Sequence, residues 1–149
     1  MPKLPKLAEV TSLRGSTYVY DPTKVVALFQ MARIDGGGEE VALHVVGIGA
    51  MPIPIGGTAD AFVANLDRTI AVQFVPFTGG NGPMKIKATA VSLLMPSDER
   101  VHDPNVKCVI YFGATQYLGA LEDVPTVRAA VDGIRDAVTV QYDIDLDLF

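Results

Sequence analysis

One pattern, met twice, constrains how this chain can fold more than any other feature. Val41-Ala-Leu-His-Val-Val-Gly47 leads through a Pro-bearing link, Met51-Pro-Ile-Pro-Ile55, to Thr58-Ala-Asp-Ala-Phe-Val-Ala-Asn-Leu66. About 66 residues later, Lys107-Cys-Val-Ile-Tyr-Phe-Gly113 leads through Thr115-Gln-Tyr-Leu118 to Pro125-Thr-Val-Arg-Ala-Ala-Val-Asp-Gly-Ile134. Each copy reads as an apolar strand closed by glycine, a short second strand and an amphipathic helix. In the first helix Ala59, Phe62, Val63 and Leu66 recur at i, i+3, i+4 and i+7; in the second, Val127, Ala130, Val131 and Ile134 do the same. Both stripes read as core. The class implied is α+β: two similar β-β-β-α halves of mainly antiparallel sheet, with two helices and extended N- and C-terminal arms.

The remaining segments fill in that plan. Residues 1–16 carry Pro2 and Pro5, which disfavour helix, and read as an extended arm with Leu4, Leu7 and Val10 as anchors on a neighbour. The first half, with its following strand, occupies 17–77. Thr17–Tyr20 is a short strand, Asp21-Pro22-Thr23 a turn, Lys24–Ile34 a strand, and Asp35–Gly38 a hairpin connection into Glu39–Ile48. That partner strand is apolar on both faces, Val41, Leu43 and Val45 against Ala42, His44 and Val46, and is expected to be central. Pro52 and Pro54 place Met51–Ile55 on an edge. Thr69–Phe77 is expected as a strand.

The second half is assigned to 78–137. Thr78–Pro83 reads as a loop between strands, and Met84–Met95 as one strand. Asp123 caps the second helix, with Pro125 tolerated in its first turn. Gly133 inside that helix is read as a mark of close packing. From 138 to 149 the residues alternate, Val138, Val140, Tyr142, Ile144, Leu146 and Leu148 against Thr139, Gln141, Asp143, Asp145 and Asp147. Strict alternation reads as a C-terminal strand, with Ile144, Leu146, Leu148 and Phe149 as partner contacts. At 149 residues, these parts are expected to share one compact domain.

The chemistry-bearing residues are few. His44 lies in an apolar strand and reads as a core histidine. Cys108 is the single cysteine, so no intrachain disulfide or multi-Cys metal site is possible, and its apolar strand makes a buried thiol the expected state. Asp98, Glu99, His102 and Asp103 form the most polar stretch, but a solvated loop explains them as well as a metal does. Gly47-Ile-Gly49 lacks the third glycine and the following helix of a nucleotide loop. The glycines of 79–82 lead into a strand rather than a phosphate-binding helix. The alternating Asp of the tail do not make an EF-hand, which needs a central Gly and a distant Glu. No catalytic residue, cofactor site or metal site is assigned.

Composition then decides between the remaining classes. Hydrophobic residues make up 49% and charged residues 19%, where about 25% charged is usual. The mean hydropathy is +0.30. Such a body has more apolar surface than a small monomer hides easily, so part of it is expected against other chains. The net charge of −5, without a basic cluster, argues against nucleic acid as a partner. The absence of an apolar run near 18 residues argues against a membrane, and the N-terminus lacks a secretory h-region, so cytoplasmic synthesis is expected. The reading favoured is a non-enzymatic structural protein that assembles with itself or a larger shell, such as a phage capsid decoration (cement) subunit, with the virion as one destination. The alternative is a regulatory module that binds a small molecule or peptide between the halves, near 47–54 and 113–118. A metal-dependent enzyme using 98–103 ranks third.

Overall fold

A computed structural model describes residues 5–33, 40–98, 103–113 and 115–146, with the backbone alone for 139–146. It is a mixed structure of three mostly antiparallel sheets and three helices. The strands are β1 (Ala8–Thr11), β2 (Thr17–Tyr20), β3 (Ala27–Ala32), β4 (Val41–Val46), β5 (Ile53–Ile55), β6 (Phe74–Gly79), β7 (Gly82–Lys87), β8 (Leu93–Pro96), β9 (Cys108–Phe112) and β10 (Gln116–Ala120). The helices are α1 (Ala59–Ala64), α2 (Arg68–Ala71) and α3 (Val124–Leu146), and short 3-10 turns cover Pro22–Lys24 and Ala88–Ala90.

β4 is apolar on both faces because it separates two cores. It lies inside a five-stranded sheet of order β5-β4-β3-β7-β6. On one side Leu28, Leu43, Val45, Ile55 and Phe74 pack with Tyr20, Ala59 of α1 and Ile70 of α2. On the other, Ala27, Val46, Phe77, Met84 and Ile86 pack with Cys108, Ile110, Phe112 and Ala120 of the three-stranded sheet β10-β9-β8, and with Val127 and Val131 of α3. The five-stranded sheet is thus the middle layer, with apolar side chains buried on both of its faces. The expected edge position of the Pro-bearing β5 is observed.

Local chemistry explains where elements begin. Thr58 accepts a hydrogen bond from the Ala61 N–H at 3.2 Å and starts α1; Asp123 accepts one from Thr126 at 3.0 Å and starts α3. Asp21 accepts from the Thr23 N–H at 2.9 Å and from its hydroxyl at 2.7 Å, closing the turn before β3. At the end of β4, Gly47 has φ of 110°, and a Cβ there would lie 2.2 Å from the Lys24 carbonyl oxygen, so only glycine fits.

Several expectations are corrected. The C-terminal strand from 138 is a helix through Leu146: α3 is capped at Asp123, and helix adds one hydrogen bond per residue once its first turn exists, whereas an isolated strand has no partner to bond. Ile144 and Leu146 therefore belong to a helix, not an extended arm. The N-terminal arm is a hairpin over its described C-terminal part, β1 pairing with β2 from Ala8 opposite Tyr20 to Thr11 opposite Thr17. Thr69–Phe77 is not one strand: Asp67 accepts from Thr69 at 3.0 Å and starts α2, leaving the strand to begin at Phe74. Met84–Met95 is broken by the turn at Ala88–Ala90, which carries the chain from one sheet into the other. The loop at 78–83 is a tight β6–β7 hairpin around Gly80-Asn81. Gly133 is exposed with open space around it, so it marks no close contact. The hairpin expected at 35–38 lies outside the described residues.

Candidate functional site

The most distinctive surface of the molecule is its strand edges. β1's far side continues onto β5: Ser12 bridges to Ile55, and the Leu13 N–H donates to the Pro54 carbonyl at 3.2 Å. β6's far side meets the end of β10: the Leu121 N–H donates to the Thr78 carbonyl at 2.9 Å, and the Thr78 N–H donates to the Glu122 carboxylate at 3.0 Å. The three sheets therefore lie end to end, in the order β2-β1, then β5-β4-β3-β7-β6, then β10-β9-β8. Among the described residues no strand pairs with the outer side of β2 or of β8. Apolar side chains crowd both: Tyr18 is 42% exposed, Val19 60% and Leu93 50%. Exposed edges in soluble proteins are normally blunted by charge or proline. β2 has neither, and β8 has only Pro96 at its end.

The residues expected at partner contacts fare differently from one another. Leu4, Leu148 and Phe149 lie outside the described residues. Leu7 is 65% exposed. Val10 is half-buried opposite Tyr18 and packs against the core that contains Tyr20, because β1 folds back on β2. The exposed apolar residues of the two open edges, Tyr18, Val19 and Leu93, were not among those expected. The signal that could have found them is a β-prone run, Thr17-Tyr-Val-Tyr20, with no gatekeeping charge.

Two clefts lie where the layers meet. A small one of about 240 Å³ is lined by Val46, Ala50, Pro52, Thr115, Tyr117 and Leu118, among others. A larger one, about 730 Å³, has an apolar floor of Phe29, Met31, Met84 and Leu118 and a polar rim that includes Asp103, Asn105 and Lys107.

The titratable groups have structural surroundings. His44 is fully buried; its Nδ1 lies 3.0 Å from the Ala42 carbonyl, to which it donates, and its ring stacks on Phe29 at 5.4 Å. Burial pushes the Cys108 thiol up to about 11, so it is protonated and unreactive at neutral pH. The Lys87 ammonium is held below its ordinary pKa by burial, an effect opposed by Asp21, and it donates to the Thr23 carbonyl at 2.7 Å. The carboxyls of Asp21, Asp67 and Asp123 are held low by hydrogen bonds from Thr23, Thr69 and Thr126, the residues they cap. Residues 99–102 of the polar stretch lie outside the described residues; no group of three metal-ligating side chains occurs among those described. Nor is any described helix long and apolar enough to cross a membrane.

Compared with known proteins, the chain matches no family model, no curated protein and no solved structure.

Proposed function

We propose that this chain is a structural protein whose task is assembly, with copies of itself or as an accessory subunit on a larger shell. The observation that carries this reading is that both terminal strands of the sheet order leave apolar side chains, Tyr18, Val19 and Leu93, in water. Open strand edges add further strands readily, main-chain hydrogen bonds supplying affinity and alternate side chains specificity.

The reading includes the internal repeat, which the order of elements supports. A β1–β2 hairpin, a 3-10 turn, the meander β3-β4-β5 and α1 are followed by a β6–β7 hairpin, a 3-10 turn, the meander β8-β9-β10 and α3. The first turn ends on Val25 with φ −66° and ψ 119°, the second on Val91 with φ −68° and ψ 126°. Across the first meander Leu28, Val45 and Ile53 stand in register; across the second, Leu94, Ile110 and Leu118 do. Each trio turns toward the core that its own helix covers.

Light scattering on the purified chain at micromolar concentration tests assembly. A mass that is a multiple of 15.9 kDa is expected, and a stable monomer overturns the proposal. A second reading, a module binding a small molecule, is favoured by the 240 Å³ cleft between the Ala50–Pro52 and Thr115–Leu118 segments. It predicts a monomer that gains thermal stability from a ligand.

A further inference from the structure

The joint between the two halves shows how one copy can meet the next. β7 of the second half lies antiparallel on β3 of the first, Ala27 opposite Ile86 and Leu28 opposite Lys85. The Lys87 N–H donates to the Val26 carbonyl at 2.9 Å, and Lys85 reaches Asp60 of α1 at 3.0 Å. At this joint Ala27, Leu28 and Ile86 are fully buried.

Under the repeat, each strand of that joint has a counterpart with an open edge. β7 corresponds to β2: both are the second strand of a hairpin, and Ile86 and Tyr20 both point into a core just before a 3-10 turn. β3 corresponds to β8, Leu28 matching Leu94 as the core-facing residue of the meander's first strand. β7 and β3 are paired with each other; β2 and β8, within one chain, are not. We propose that β2 of one copy pairs antiparallel with β8 of a second copy, repeating between chains the joint that β7 and β3 make within one. The inference rests on the assembly reading above and names its surface and its partner.

The register follows from the correspondence. Ala27 opposite Ile86 becomes Leu93 opposite Tyr20, and Leu28 opposite Lys85 becomes Leu94 opposite Val19. Continuing one residue sets Met95 opposite Tyr18. The exposed Leu93 thus meets Tyr20, and the exposed Val19 and Tyr18 meet the half-buried Leu94 and Met95, apolar cross-strand pairs of the kind that favour strand association. The Asp60–Lys85 ion pair has no counterpart, since Val19 replaces the lysine; the intermolecular joint is apolar where the internal one is partly ionic. The contact is heterologous, β2 to β8, so copies close into a ring or continue as a filament according to the rotation per joint.

The test uses the full chain with one edge blocked at a time. Val19→Lys disables the β2 edge and Leu93→Lys the β8 edge; both positions are exposed, and unchanged far-UV circular dichroism checks that each variant folds. Light scattering is expected to show wild-type oligomers, monomers for each variant alone, and pairs of chains, no larger, when the two variants are mixed, because each retains the edge the other lacks. Wild-type oligomers that persist in either variant overturn the joint while leaving assembly intact, since another surface then holds the copies together. Oligomers lost in one variant only, or variants that stay monomeric when mixed at high concentration, overturn the joint as well. A monomeric wild type removes both proposals at once.

Discussion

The two hairpins of this protein, β1–β2 and β6–β7, share local chemistry and differ in company. Both are antiparallel, both run into a 3-10 turn, and both touch a further strand segment on the side of their first strand. Yet Met84 of β7 is only 1% exposed, while Tyr18, at the same place in β2, is 42% exposed. The difference is β3, which bonds to β7 and has no counterpart beside β2 among the described residues. Burial of a strand is set by its neighbours as much as by its own residues.

The comparison of halves can be broken most sharply at their two glycines. Gly47→Ala is expected to cost about 3–5 kcal/mol, because φ near 110° and a clash with the Lys24 carbonyl leave no relaxed alternative. Gly113→Ala should cost only about 1–2 kcal/mol, the strain of a positive φ, since nothing lies within 4 Å of its Cβ. Urea denaturation of both variants measures this; equal losses would show that the β4 end is not the tighter of the two. An intermediate effect compares the cores. Leu28→Ala, at a fully buried site, should cost about 2–5 kcal/mol, and Leu94→Ala, half-buried, clearly less. Calorimetric midpoints in the reverse order would mean that the second half carries the tighter packing. The smallest effect is a gain: Gly133→Ala on the exposed face of α3 should raise stability by about 0.5–1 kcal/mol, seen as a small rise in melting temperature. A loss there would restore the close contact that the glycine was first read to mark.

Much of the framework was legible from residue order. The double-sided apolarity of Val41–Val46 placed β4 inside a sheet, Pro52 and Pro54 put β5 on an edge, and Thr58 and Asp123 marked two helix starts. These signals survive because they depend on adjacent atoms: a missing N–H, a side-chain oxygen three residues back, or alternation along one strand. The C-terminal segment misled for the same reason. Val138 to Leu148 alternates as a strand would, yet helix through Leu146 continues from a nucleus 15 residues upstream, which a local period of two does not register. The surroundings of Val10 were not legible either, since only the fold-back of β1 shows that it lies opposite Tyr18 of the same chain.

Sequence alone determined the class, the caps, the twin glycine-closed strands and the buried character of His44 and Cys108, because each follows from short-range sterics and hydrogen bonding. Only tertiary structure decided which strands became neighbours. Pairing β3 with β7, some sixty residues apart, is a competition among many apolar edges of similar propensity. The winner is settled by the burial of two whole sheet faces at once, a quantity that no short window of residues contains. The same competition left β2 and β8 each paired on one side only among the described residues.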